Sequence, residues 1–108
     1  MAREYVPQTN TFVVEESPKM IGQIEKLLER LKAEVKEHFP SAWCIQAWYK
    51  DVHEIFIVRF LTKTVGSIDY KWMQKIAEKY GLEYPNFDVY AHNKRNIEVY
   101  MSWRKGGD

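Results

Sequence analysis

The sequence predicts an α+β domain, a two-layer sandwich with two helices on one face of a four- to five-stranded antiparallel sheet. Apolar residues recur at helical spacing in two segments of the chain, and a pair of alternating segments follows each of them. The predicted order is therefore αββαββ. With one more strand in front of the first helix, the order matches a ferredoxin-like arrangement with an extra terminal strand.

The first helix is predicted over residues 18–38. Ser17 is a favourable N-cap, Pro18 suits the first helical position, and Pro40 stops the helix. Six apolar side chains form its buried stripe: Met20, Ile24, Leu27, Leu28, Leu31 and Val35. In front of this helix, residues 11–16 are a candidate for a short first strand.

Two strands, at 42–50 and 54–63, then form a hairpin around the polar turn KDVHE. In the first strand, four apolar side chains point to one face: Trp43, Ile45, Ala47 and Tyr49. Trp48 therefore falls among the polar side chains of the other face. The second strand is apolar on both faces, and the sequence leaves open which set points outward. The two sets are Ile55, Ile57, Arg59 and Leu61, or Phe56, Val58 and Phe60.

A second helix is predicted after Ser67 or Asp69, either of which is a suitable cap, and it ends at Gly81. Its apolar stripe is Ile68, Trp72, Ile76 and Tyr80, with Met73 and Ala77 beside it. The segment EYPN is predicted to be a loop. Residues 87–92 and 97–104 then alternate around the turn NKRN and form a second hairpin. Its outward side chains include Tyr90, His92, Tyr100 and Arg104.

Composition indicates one globular domain over residues 1–108, with 1–10 and 105–108 expected to be flexible. The single cysteine, Cys44, excludes an internal disulfide and a zinc site built on paired cysteines. No apolar run reaches the roughly 20 residues of a membrane span, and no secretory signal peptide is recognised. These features favour a cytoplasmic protein with no membrane partner.

The residues that could carry chemistry form no enzyme motif. His38, His53 and His92 lack metal-ligand spacing and are expected on the surface, while Cys44 is expected to be a half-buried strand residue. The five glycines form no phosphate-binding loop. The sequence therefore predicts a protein that is not an enzyme, with no cofactor, metal site or small-molecule substrate.

The apolar outer face of the sheet is the feature that bears on function. Contiguous exposed apolar area on a small domain marks an interface. We therefore predict a non-enzymatic binding module that forms a homodimer, either by packing two sheets face to face or by pairing edge strands across a two-fold axis. The residues assigned to this interface are Trp48, Ile55, Ile57, Arg59, Leu61, Tyr90 and Tyr100.

Nucleic-acid binding is the alternative function. Aromatic side chains on an open sheet stack unpaired bases, and basic side chains bind phosphates. The basic candidates are Lys50, Lys94, Arg95, Arg104 and Lys105. This alternative ranks second, because the formal net charge is only +1 and the short aromatic and basic signature of base-stacking folds is missing. The two functions are compatible, and a protein partner also fits the predicted surface.

Overall fold

The computed structural model describes residues 4–5, 12–13, 18–63 and 70–106, with side chains described from residue 22 onwards within these ranges. Its elements in chain order are β1 (Glu4–Tyr5), β2 (Phe12–Val13), α1 (Pro18–His38), β3 (Trp43–Lys50), β4 (Ile55–Thr62), α2 (Tyr70–Tyr80), β5 (Leu82–Ala91) and β6 (Ile97–Lys105). Strands β3 to β6 form one antiparallel sheet in the order β3-β4-β6-β5. The predicted α+β class is confirmed.

Both helices lie where the apolar periodicity predicts them. Helix α1 occupies the predicted residues, and four side chains of its stripe are buried: Ile24, Leu28, Leu31 and Val35. Helix α2 buries Met73, Ile76 and Ala77, while Trp72 and Tyr80 are partly buried against the core. Gly81 has a φ of 68°, the left-handed conformation that commonly ends a helix. Six residues named in the sequence analysis fall outside the described side chains: Ser17, Pro18, Met20, Ser67, Ile68 and Asp69.

The register of the sheet determines which residues face the helices. Val58 lies opposite Ala47 on β3 and opposite Met101 on β6, and residues opposite one another share a face. The buried set on this face is Ala47, Tyr49, Phe56, Val58, Phe60, Val99, Met101 and Trp103. These side chains and the stripes of both helices form one core. The indole Nε1 of Trp103 also donates a hydrogen bond of 3.0 Å to the carbonyl oxygen of Met73, which joins β6 to α2.

Strand β5 begins earlier than the sequence predicts. The segment EYPN, expected to be a loop, belongs to this strand, which starts at Leu82. The register shifts between Glu83 and Asn86, and Tyr84 has a φ of 51°, so the strand contains a β-bulge. Pro85 is tolerated because β5 ends the sheet, where a missing N–H interrupts no ladder hydrogen bond. The signals that suggested a loop therefore mark a bulge in an edge strand.

The short strand predicted within residues 11–16 is β2, which pairs with β1 and lies against β3. The ferredoxin-like alternative is only partly matched, because the main sheet of the described residues has four strands and all of its neighbouring pairs are antiparallel. Of the ends expected to be flexible, Glu4–Tyr5 form β1 and β6 continues to Lys105. The other residues of 1–10, and 107–108, lie outside the described residues.

Candidate functional site

The outer face of the sheet holds all seven residues predicted for the interface. Trp48 lies opposite Ile57, and Arg59 lies opposite Tyr100, so from Gln46 onwards the even-numbered positions of β3 share a face with the odd-numbered positions of β4. This register resolves the choice that the sequence leaves open. The outward set of β4 is Ile55, Ile57, Arg59 and Leu61, while Phe56, Val58 and Phe60 face the helices.

Burial divides these seven residues. Trp48 is only 8% exposed and Leu61 is also buried, although neither belongs to the core beneath the helices. Tyr90, by contrast, is 51% exposed. Ile55, Ile57, Arg59 and Tyr100 are partly buried. Trp48 is therefore covered within a single chain instead of lying open to a partner, and the open part of the face lies at β5.

An aromatic row crosses the outer face diagonally from β3 to β5. The rings of Trp48 and Tyr100 meet edge to face with centroids 6.4 Å apart, and Tyr100 meets Tyr90 in the same way at 5.8 Å. The indole Nε1 of Trp48 is buried and has no hydrogen-bond partner among the residues that the structure describes. The row therefore has a buried end at Trp48 and an exposed end at Tyr90.

An ion pair beside this row ties the two halves of the sheet together. The guanidinium of Arg59 on β4 donates hydrogen bonds to the carboxylate of Glu98 on β6, and its Nη1 donates to Oε1 of Gln46 at 2.9 Å. Burial opposes the charge on Arg59, but the hydrogen bond and the negative charge of Glu98 outweigh it and raise the pKa of Arg59 above its ordinary value. The guanidinium of Arg59 is thus hydrogen-bonded within its own chain.

The exposed end of the row borders an open concavity of about 420 Å³, lined by Ile57, Asp88, Tyr90, Glu98, Tyr100 and Ser102. Its polar groups are two carboxylates, two phenols and one hydroxyl. Carboxylates accept hydrogen bonds and repel phosphate, so this concavity suits donor groups or cations. Asp88, Glu98 and Ser102 were not predicted for the site, although strand alternation places all three on this face.

The basic candidates for nucleic-acid binding do not form one patch. Lys94 and Arg95 are exposed at the tip between β5 and β6. Lys50 and Arg104 both neighbour Ile55 at the other end of the sheet. The part of β6 from Ile97 to Arg104, about 23 Å long, separates Arg95 from Arg104. Lys105 points to the helix side, where it lines a separate cavity with side chains of α1.

Large exposed apolar side chains gather along β5. Tyr84, Val89 and Tyr90 lie on this strand, and exposed Tyr70 of α2 donates a hydrogen bond of 2.7 Å to the carbonyl oxygen of Pro85. Val89 lies opposite Val99 and so points to the helix side, while Tyr90 points outward, which leaves β5 exposed on both faces. The sequence analysis found only Tyr90, because alternation assigns a face but does not show which strand ends the sheet.

The three histidines and the single cysteine do not form a common site. His38, His53 and His92 are exposed, as predicted. The stacked ring of Trp72 lies 4.3 Å from that of His38. Cys44 is exposed instead of half-buried, because it occupies a bulge at the start of β3 with a φ of 54°. Within the described ranges, no group of three or more His, Cys, Asp or Glu side chains has the geometry to hold a metal ion.

Comparisons with known proteins identify no relative of this chain. The chain matches no protein-family model, and searches of curated proteins and of solved structures give no significant match. Neither α1 nor α2, the helices of the described residues, has the length and apolar character required to span a membrane. Function has to be argued from the surface itself.

Proposed function

We propose that this protein is a small, non-enzymatic and cytoplasmic binding module that self-associates through the β5 side of its sheet. One observation carries the proposal: four of the large apolar side chains that remain exposed, Tyr70, Tyr84, Val89 and Tyr90, lie on or beside this one edge strand. Exposed apolar patches of this kind mark protein interfaces. In the dimer, the outer face around Tyr90 and Tyr100 is the surface offered to a further partner.

The charge of the chain supports self-association. The formal net charge of +1 makes repulsion between two copies weak. The charge of Arg59, a partly buried cation of the outer face, is already neutralised by Glu98. Along residues 86–91 of β5, a second copy therefore meets apolar and hydrogen-bonding groups and a single charged side chain, Asp88.

Nucleic-acid binding remains the second candidate, because Lys94 and Arg95 are exposed at the tip that follows Tyr90. Asp88 of the neighbouring concavity acts against it, since its carboxylate repels the phosphate backbone, whereas the carboxylate of Glu98 is paired with Arg59. If this candidate is right, Lys94→Glu combined with Arg95→Glu lowers oligonucleotide affinity and reduces its salt dependence.

The molar mass of the protein in solution, measured by light scattering over a range of concentrations, tests the proposal. We expect a dimer for the natural sequence and a monomer for Val89→Lys, which places a charge in the centre of the patch. Val52→Lys is the matched control, because Val52 is 62% exposed in the turn between β3 and β4, away from β5. A natural sequence that stays monomeric at every concentration contradicts the proposal.

The same measurement with a short single-stranded oligonucleotide separates the two candidates. A monomer that gains the mass of the oligonucleotide moves nucleic-acid binding to first place. A dimer whose mass does not change leaves self-association as the function of the β5 side.

A further inference from the structure

The hydrogen-bonding pattern of β5 shows which of its backbone groups are open. The N–H of His92 donates to the carbonyl oxygen of Asn96 at 3.1 Å, where the hairpin turns into β6. In an antiparallel pair, hydrogen-bonded and non-hydrogen-bonded positions alternate. Residues 88 and 90 therefore bond to β6, while Phe87, Val89 and Ala91 direct their N–H and C=O groups away from it. Within the described part of the chain, no strand lies on that side of β5.

The two halves of this edge differ in their protection. The first half contains the bulge and Pro85, which has no N–H, and both features prevent strand pairing. The second half, residues 86–91, is regular, has no bulge or proline, and carries a single charged side chain, Asp88. Long unprotected edges of this kind pair with another strand.

We infer that two copies pair antiparallel along residues 86–91 of β5, with Val89 on the two-fold axis, to form a continuous eight-stranded sheet. This inference rests on the proposed self-association and specifies its geometry. The occupant of the open edge is a second copy, because the segment is complementary to itself in one register.

A two-fold register centred on residue 87 pairs only residues 86–88, because it sets Val89 opposite Pro85. Three more registers keep side chains on matching faces, centred on residue 88, 89 or 90. The first places two Asp88 carboxylates directly opposite each other, which is unfavourable. The third leaves only residues 89–91 paired within the strand, because β5 ends at Ala91. The register centred on Val89 pairs residues 87–91 and supplies about six backbone hydrogen bonds between the copies.

Side chains also fit the register centred on Val89. Asp88 lies opposite the partner's Tyr90, so each carboxylate faces a phenol that can donate to it. Both residues line the outer concavity, which the partner strand then extends. Helix α2 packs over the beginning of β5 through Leu82 and Pro85, so the two copies of α2 lie at opposite ends of the paired strands and do not collide.

Single cysteines at residues 88, 89 and 90 test the register, each in a Cys44→Ser background. In the register centred on Val89, the two Val89 Cα atoms are about 5.5 Å apart, which a disulfide spans. The two copies of residue 88, or of residue 90, are about 8 Å apart along the diagonal, beyond the reach of a disulfide. Under mild oxidation, we expect Val89→Cys to form a covalent dimer at least tenfold faster than Asp88→Cys and Tyr90→Cys.

Light scattering on the same three variants before oxidation separates the possible failures. If they are dimers but Asp88→Cys or Tyr90→Cys cross-links fastest, the register is overturned. If they are dimers and none of the three cross-links, pairing centred on residues 88 to 90 is overturned and self-association survives. If all three and the natural sequence are monomers, both the inference and the proposed function are overturned.

Discussion

The two αββ halves of the chain have the same order of elements but cover their strands to different extents. Helix α1 has 21 residues and is about 32 Å long, whereas α2 has 11 residues and is about 17 Å long. Strand β5, with ten residues, is about 33 Å long, so α2 covers only about half of it. The uncovered half is where Val89 and Tyr90 are exposed. The shorter helix therefore explains why the second half of the chain has the open surface.

The two edge strands of the main sheet, β3 and β5, also differ in how far they are protected from pairing with another strand. At the β3 edge, the strand starts with a bulge at Cys44 and β2 lies against it. At the β5 edge, the bulge and Pro85 protect only the first part of the strand. The proposed two-fold pairing is placed at β5 because it requires an open, regular edge, and no described strand lies against that one.

The largest expected effect tests whether the second half has a rigid core despite its exposed edge. Trp103 is fully buried and bonds Met73, so Trp103→Ala should lower the free energy of unfolding by about 4 kcal/mol, measured by chemical denaturation. Trp43→Ala is the control, because Trp43 is exposed at the start of β3, and it should cost about 0.5 kcal/mol. Equal losses for the two variants would show that the core does not extend under β6.

The second expected effect concerns the junction of the halves at β4 and β6. Glu98→Gln leaves the guanidinium of Arg59 without a charged partner, in a site where the two side chains are 19% and 18% exposed. We expect a loss of about 2 kcal/mol in unfolding free energy, less than for a fully buried pair because some solvent reaches both groups. Glu29→Gln removes an exposed ion pair with Lys32 and should cost about 0.3 kcal/mol. If the two variants lose similar amounts of unfolding free energy, the ion pair between Arg59 and Glu98 does not stabilise the contact between β4 and β6.

The third expected effect concerns the link between the two helices. Tyr80 on α2 donates a hydrogen bond of 2.6 Å to Oε2 of Glu34 on α1, and Tyr80→Phe should cost about 1 kcal/mol near neutral pH. Hydrogen bonds from Lys79 and Tyr80 lower the pKa of Glu34 below its ordinary value of 4.5. Burial and the hydrogen bond to Glu34 raise the pKa of Tyr80 above 10.0.

These two shifts define the pH range of the helix link. A lowered carboxyl pKa stabilises the fold above pH 4.5, and this contribution is lost as the pH falls through the folded-state pKa. A raised phenol pKa stabilises the fold below pH 10.0, and this contribution is lost as the pH rises through the folded-state value. The difference between Tyr80→Phe and the natural protein should therefore shrink at both extremes. A difference that does not vary with pH would contradict the link.

The smallest expected effect separates association from folding. Val89 is 44% exposed, so Val89→Lys should change the unfolding free energy of the monomer by no more than about 0.5 kcal/mol, measured at concentrations too low for dimers. The same change should abolish the dimer. A loss of several kcal/mol would instead show that Val89 belongs to the folded core.

Local patterns predicted most of the fold. The periodicity between Pro18 and Val35, and the alternation of β3, β4 and β6, depend on neighbours in sequence, so helix α1 and these three strands were predicted to within one or two residues. The start of β5 was predicted five residues too late. The order of the strands depends on contacts between distant segments, which alternation does not encode. That is why the face of Trp48 was predicted correctly but its burial was not. It is also why Pro85 suggested a loop instead of an edge strand.

Amide hydrogen exchange along β5, followed residue by residue at two protein concentrations, tests the central claim most directly. The N–H groups of Asp88 and Tyr90 bond to β6 in every state and serve as internal controls. At concentrations that favour the dimer, the account predicts that the N–H groups of Phe87, Val89 and Ala91 are protected as well, and that they alone lose protection on dilution. If these three amides exchange as freely in concentrated as in dilute protein, two copies do not pair along β5.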